Sequence, residues 1–344
     1  MLRHYFDANA SAPPHPEAVE AVRRALSEDW GNPTSTHREG QRARYHLEEA
    51  RREIAATLDV AAGELVFCAS ATEALHLLIR GLQAALGDRA AAVFPGEHSA
   101  CLNPLQDWSR VAWLPDLPIG CATVVQMAAN NETGILYPMP AVLSAVRIKD
   151  CAQAWGKVPV DLADCDAAVF SGHKMGGPRG AALLWMRSGL PWEAVMEGPQ
   201  ERRRRGGTED LPAILGLAVA VRHLTERQAM NASLGPLRDA FEREITAWNQ
   251  DIEIIGQGAL RLPNTSCVLI RGRNGEAMQA SLDLAGFAVS TGSACHSGSV
   301  KPSHAITTLG YALDDARSVL RFSMLPDTQP SEVEALVAAI KRLT

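Results

Sequence analysis

Lys174 is the residue whose surroundings most plainly suggest chemistry. It closes Ser171-Gly172-His173-Lys174, between the apolar runs 167–170 and 181–186, each short and apolar enough to be a buried strand. A lysine on a glycine-rich turn between two core strands is costly unless its amine is paired or neutral. Desolvation lowers the pKa of such an amine toward its nucleophilic form, which is what a Schiff-base lysine requires. Ser171 and His173 add short hydrogen-bonding groups, and Gly172, Gly176 and Gly177 let a large ligand approach the backbone. The plainer alternative is a surface turn with a solvated lysine.

A second reactive stretch is Ser290-Thr291-Gly292-Ser293-Ala294-Cys295-His296-Ser297-Gly298-Ser299. A cysteine among small polar residues and glycines differs from the usual buried structural thiol and is open to nucleophilic work. Downstream, Arg321 interrupts the apolar run Val319-Leu320-Arg321-Phe322. A guanidinium there wants a carboxylate partner, and a substrate could supply one bidentately.

The elements that must position these groups follow from the pattern. The segments 17–29 and 38–58 read as helices, the second highly charged with a solvated face. A strand over 64–68 runs into a helix beginning near Thr72, so the backbone of Ala71 and Thr72 could receive an anion such as phosphate. A strand over 91–94 leads to Glu97 and His98, and one over 122–127 delivers Asn130-Asn131-Glu132-Thr133-Gly134. Asp150 and Gln153 lie upstream of Lys174, with Asp161, which looks more like a loop residue, as the alternative acid. The four arginines 202–205 read as a solvated basic loop. Thr208, at the start of an apolar helix over 211–224, could offer a hydroxyl to a phosphate. After residue 230 the texture becomes α+β: a helix over 232–249, strands over 252–255 and 266–270, a helix over 275–285, and a terminal helix over 331–343 with Ser331 and Glu334 as a capping box.

Composition sets the frame. A chain of 344 residues exceeds what one core usually serves, so two domains are expected: 14–230, and a smaller one built from 1–13 and 231–344 that carries the cysteine loop. With 47% hydrophobic and 21% charged residues the composition is that of an ordinary globular protein, and a net charge of −6 argues against a nucleic-acid grip over the whole surface. No apolar run approaches the ~20 residues that span a bilayer, and an acid, Asp7, interrupts the N-terminus before a signal sequence could form. Seven cysteines without CxxC pairs suit a reducing compartment, so a cytoplasmic location is expected.

Taken in order, these motifs resemble the cysteine desulfurases of iron–sulfur cluster assembly and nitrogen fixation, within the class V aminotransferases. The resemblance runs through Phe6-Asp7-Ala8-Asn9, Gly31-Asn32-Pro33-Thr34-Ser35, Ser70-Ala71-Thr72-Glu73, Glu97-His98, Asn130 to Gly134, Asp150 to Gln153, Ser171 to Lys174, Arg205 to Glu209, and Arg321-Phe322-Ser323. It implies the type I fold of enzymes that use pyridoxal 5′-phosphate (PLP): a large domain on a mostly parallel seven-stranded sheet and a smaller α+β domain. It implies Lys174 as the Schiff-base lysine, Asp150 as partner of the pyridinium nitrogen and His98 as the imidazole stacked on the ring. Ala71, Thr72, Ser171 and His173 would contact the phosphate, with Thr208 doing so from the other subunit of a homodimer. Asn131 and Gln153 would contact the cofactor, Asn131 alternatively the substrate carboxylate, which Arg321 would clamp. Cys295 would accept sulfur from L-cysteine and pass it to an acceptor protein, its thiol helped by His98 or His296. A selenocysteine lyase, an aminotransferase, or a non-catalytic sulfur-relay scaffold are the rival readings. One departure stands out: the segment between Asn131 and Asp150 is short for that family and shows neither its helix nor its clear strand.

Overall fold

The computed structural model describes residues 4–87, 89–142, 145–291 and 302–344. The strands, in chain order, are β1 (His4–Tyr5), β2 (Leu65–Cys68), β3 (Ala90–Val93), β4 (Val111–Trp113), β5 (Cys121–Met127), β6 (Val146–Asp150), β7 (Ala167–Ser171), β8 (Ala182–Met186), β9 (Ile252–Ile254), β10 (Thr265–Ile270), β11 (Phe287–Ala288), β12 (Ser290–Thr291) and β13 (Val319–Ser323). The chain divides into two compact units. One comprises Pro13–Ala128 and Pro138–Thr225; the other comprises Met1–Ala12, Ala129–Tyr137 and Glu226–Thr344.

The first unit is built on a seven-stranded sheet of order β2-β8-β7-β6-β5-β3-β4. Strands β4, β3, β5, β6 and β7 are mutually parallel. Only β8 is reversed; being antiparallel to both neighbours, it leaves β2 running with the majority. A mostly parallel sheet needs cover on both faces, and its strands read as continuous apolar runs. On β7 and β8 the residues alternate accordingly. Ala168, Phe170, Leu183 and Trp185 join the core under the helices Pro16–Glu28, Arg38–Leu58 and Leu211–Arg222. Ala167, Val169, Leu184 and Met186 join the core under Ala71–Leu86 and Ser99–Leu105.

Strand β6 carries two basic residues, Arg147 and Lys149, and still belongs to the sheet. Arg147 pairs with Asp166 at 3.1 Å, while the Lys149 amine pairs with Asp164 and donates to the Asp161 carbonyl at 2.7 Å. The clear strand expected to be missing before Asp150 is therefore present, its charges satisfied from the chain just before β7. Among the described residues between β5 and β6 no helix forms.

The second unit holds a four-stranded antiparallel sheet, β12-β13-β10-β9. The helices Leu234–Trp248, Gly275–Leu284 and Pro330–Leu343 cover it with a core that includes Phe241, Leu282, Phe322 and Ile340. The capping box of the last helix uses Gln329 and Glu332 rather than Ser331 and Glu334. Pro330 explains the shift: lacking an N–H and fixed near the helical φ, it takes the first helical position and sets the cap at Gln329, two residues upstream of Ser331. Among the described residues no helix is long and apolar enough to cross a membrane.

Candidate active site

Because β2, β3, β5, β6 and β7 point the same way, their carboxyl ends share one edge of the first unit's sheet. That edge is where ligands collect in open α/β sheets. The chain leaving β2 gives Ser70, Ala71 and Thr72; leaving β3, Glu97 and His98; ending β6, Asp150 and then Gln153; leaving β7, Ser171, His173 and Lys174.

Lys174 ends a one-turn 3₁₀ segment, Gly172–Lys174, between β7 and β8. The turn is folded back on itself: Gly172 N–H donates to the Ala181 carbonyl at 3.1 Å, and Met175 and Gly177 N–H donate to the Gly172 carbonyl at 3.0 and 2.9 Å. A side chain at Gly172 would meet the Ala181 carbonyl at 2.6 Å, and Gly176 sits at φ 88, where only glycine is unstrained. Burial, then the charges of Lys174 and Arg179, push His173 down to about 4, so its imidazole is neutral at physiological pH.

Asp150 is buried at the end of β6, with Oδ1 accepting from the Ala152 N–H at 2.8 Å. Burial raises its pKa above the ordinary aspartate value, offset only in part by the Ala152 N–H and the Lys174 charge. Its neighbour in charge is Glu97, fully buried, whose Oε1 accepts from the N–H of Met127, the residue that faces Asp150 across β5 and β6. Desolvation first and Asp150 second raise Glu97 well above the ordinary carboxylate value, with the Met127 and His98 N–H groups opposing. Sequence reasoning quoted Glu97 without giving it a task. The available signal was an acid at a strand end beside a candidate histidine.

The helix Ala71–Leu86 begins at Ser70, whose hydroxyl accepts from the Glu73 N–H at 3.1 Å. The amides of Ala71 and Thr72 have no carbonyl ahead of them within the helix. Glu73 accepts from the Ala69 N–H and is paired with Arg205, both at 2.6 Å, which neutralises the acid in this first turn. His98 caps Ser99–Leu105, its Nδ1 accepting from the Ala100 N–H at 3.1 Å. Gln153 is buried with Oε1 accepting from Lys157 Nζ at 2.6 Å.

Only part of the arginine run departs from the solvated loop its composition suggested: Arg202 and Arg203 are exposed, Arg204 and Arg205 half-buried. Arg202 donates to the Ala62 carbonyl and Glu48, Arg204 to the carbonyls of Gly63 and Leu65, and Arg205 to Glu73. Ahead of them Glu201, Arg202 and Arg203 form a left-handed turn at φ 46, 57 and 64. Glu201 is buried and takes both Nη atoms of Arg51 at 2.8 and 2.7 Å, plus the Phe67 N–H at 2.9 Å. Arg51 lies on the helix whose charges were expected to face solvent. Charged letters carry no record of a partner 150 positions away. Thr208 is exposed, two residues ahead of Asp210, the N-cap of Leu211–Arg222.

In the second unit Arg321 is buried on β13, and its partners are internal. Nη2 meets Asp7 at 2.5 Å and Nη1 donates to the Asn131 carbonyl at 2.9 Å. The carboxylate expected from a substrate is thus supplied here by Asp7, which sequence reasoning noted only as part of a motif. The Asn131 carbonyl also accepts from Asn9 Nδ2 at 3.2 Å, and Asn130 Oδ1 folds the loop by accepting from the N–H groups of Glu132 and Thr133, both at 2.9 Å. Cys295 and His296 lie outside the described residues.

Glu132 is pushed up to about 7 by burial, against the opposing effects of the Ser303 hydroxyl and the Arg321 charge. An unfolded glutamate titrates near 4.3, so between roughly pH 4.3 and 7 the folded chain binds more protons than the unfolded one. Stability therefore falls as pH rises through that window and stays lower above it. Glu132→Gln removes the term, and its melting temperature is expected to drop less than wild type's between pH 5 and pH 8, by the equivalent of a few kcal/mol at most. Parallel melting curves for the two proteins would show this assignment to be wrong.

A model of the family "Aminotransferase class-V" matches residues 4–115 and 117–336, and the chain belongs to that family. A cysteine desulfurase of Cereibacter sphaeroides is 34% identical over 373 aligned positions, covering 99% of this chain and 95% of the relative. Among solved structures, a NifS-like protein matches with TM-score 0.92 and 27% identity over 99% of both chains. A protein solved as "SspA in complex with cysteine" matches with TM-score 0.80 and 26% identity, over 94% of this chain and 99% of that one.

Proposed function

We propose that this protein is a PLP-dependent cysteine desulfurase that converts L-cysteine to L-alanine and passes the sulfur, by way of Cys295, to an acceptor for iron–sulfur cluster or other sulfur-cofactor synthesis. The observation that supports it most is the grouping on one sheet edge of a lysine turn, a buried acid, an imidazole and an open helix start.

These residues fit PLP. The phosphate dianion suits the N–H groups of Ala71 and Thr72, with Ser171 and the neutral His173 beside them in the reading. Asp150, whose charged form the Ala152 N–H and the Lys174 charge favour, suits a pyridinium nitrogen. His98 suits the ring face, and Asn131 and Gln153 the ring's polar edge. Bound there, PLP supplies the electron sink for charge left at the substrate Cα.

The rest is done by the chain. Arg321 orients the substrate by its carboxylate, exchanging its partner Asp7 for the ligand. The Lys174 amine takes the Cα proton. The Cys295 thiolate attacks the substrate sulfur; the carbon–sulfur bond breaks, a sulfur–sulfur bond forms, and the carbon skeleton leaves as alanine after protonation. Thr208, exposed at the head of its loop, is read as a phosphate contact to the second subunit of a homodimer.

Purified protein incubated with L-cysteine is expected to form alanine and to yield a Cys295 peptide one sulfur atom heavier by mass spectrometry. Cys295→Ala is expected to keep the yellow colour of the loaded protein and lose alanine formation with a thiol acceptor. Full activity in that variant removes Cys295 from the mechanism, and amino transfer from alanine to a keto acid without sulfur release points to an aminotransferase instead.

A further inference from the structure

We propose that His15, Glu17 and His223 form a binding site for one divalent transition-metal ion of the zinc type, apart from the residues assigned to the reaction. His15 is the N-cap of Pro16–Glu28 and His223 the C-cap of Leu211–Arg222. The two helices pack together so that the start of one lies beside the end of the other, and the imidazoles stack at 3.9 Å between centroids, 20° from parallel. Glu17 Oε2 lies 3.2 Å from His223 Nε2. One ligand atom from each of the three side chains lies within 4.8 Å of the others.

The donor set selects the ion. Two imidazoles and one carboxylate suit zinc and its transition-metal neighbours, whereas magnesium and calcium prefer all-oxygen shells. Bonds of about 2.0 to 2.2 Å in a tetrahedron place ligand atoms roughly 3.4 Å apart. Glu17 is exposed and both histidines are half-buried, so rotations about side-chain bonds can close the remaining distance. His15 Nδ1 accepts from the Glu17 N–H at 3.3 Å, a bond that the ring gives up if it ligates through Nε2, because Nδ1 then carries the proton. Three protein ligands leave a fourth position for water.

Filling the site also fastens a connection to the lysine turn. The His15 N–H donates to the Gly176 carbonyl at 2.8 Å, two residues beyond Lys174. An ion that fixes His15 is expected to slow hydrogen exchange at its amide.

The test uses full-length protein stripped with a chelator, in a Cys295→Ala background so that the loop thiol does not compete. Calorimetric titration with zinc chloride is expected to give one ion per chain, with a raised melting temperature. His15→Gln and His223→Gln are each expected to weaken binding at least about ten-fold, the scale that loss of a mere supporting contact already reaches. The double variant is expected to lose the stoichiometric ion. Equal binding by the double variant, or none by the parent at micromolar zinc, overturns the proposal. An independent measurement needs no histidine variant: zinc is expected to protect His15 and His223 from carbethoxylation by diethyl pyrocarbonate, read by peptide mass, and equal modification with and without zinc counts against the site.

Discussion

Lys174→Ala is expected to lower the rate of alanine formation by roughly 10²- to 10⁴-fold, the range contributed by a positioned proton-transfer group, with the circular dichroism and melting curve near those of wild type. The argument rests on position. Lys174 sits at the carboxyl edge of a parallel sheet, on a turn whose backbone is fixed by bonds from Gly172, Met175 and Gly177. Removing its side chain leaves those bonds intact, so the fold survives while the amine proposed to move the Cα proton is gone. Single-turnover measurements with excess cysteine separate this loss from weaker substrate binding. A variant that retains more than about a tenth of wild-type turnover, short of even the lower end of that range, would exclude Lys174 as the base.

Glu201→Ala is expected to be the most destabilising single change among those considered, costing about 3 to 5 kcal/mol, because it strands a buried guanidinium. Arg51 is 2% exposed and Glu201 3%, and the pair is bidentate, with the Arg51 guanidinium also 4.6 Å above the Phe67 ring. Glu201 also opens three consecutive residues at positive φ, none of them glycine. Each such residue costs on the order of 1 to 2 kcal/mol, so the turn persists only while its first side chain is held. Urea denaturation followed by fluorescence measures the loss. Arg51→Met with Glu201→Leu is expected to recover much of it, since an apolar pair can replace a buried ion pair. A loss under 1 kcal/mol for Glu201→Ala would mean that the turn holds by other means.

The site was legible where chemistry and strand ends coincide. Lys174, Asp150, His98 and the Ala71-Thr72 helix start are named by a simple rule: an apolar run, then small or ionisable residues. The strand before Asp150 was obscured because Arg147 and Lys149 break its apolar pattern, and their partners, Asp166 and Asp164, stand 19 and 15 residues away. Arg51 and Glu201 were hidden for the same reason. An ion pair across a sheet end leaves in the sequence only two ordinary charged letters. The pairing of Asp7 with Arg321 escaped notice because a short N-terminal stretch has no periodicity to read, although β1 and the Asp7 bridge to Ser323 bind it into the second unit.

Six cysteines, Cys68, Cys101, Cys121, Cys151, Cys165 and Cys267, are buried and unbridged, and burial lifts every one of these thiols, Cys165 to about 12. A catalyst that carries a labile sulfane atom risks scrambling it onto its own polypeptide. Interior thiols held in their protonated form neither intercept that atom nor crosslink when it is shed. The cargo then has only an incoming acceptor to react with, and a surface cysteine introduced by mutation would act as a sink that diverts it.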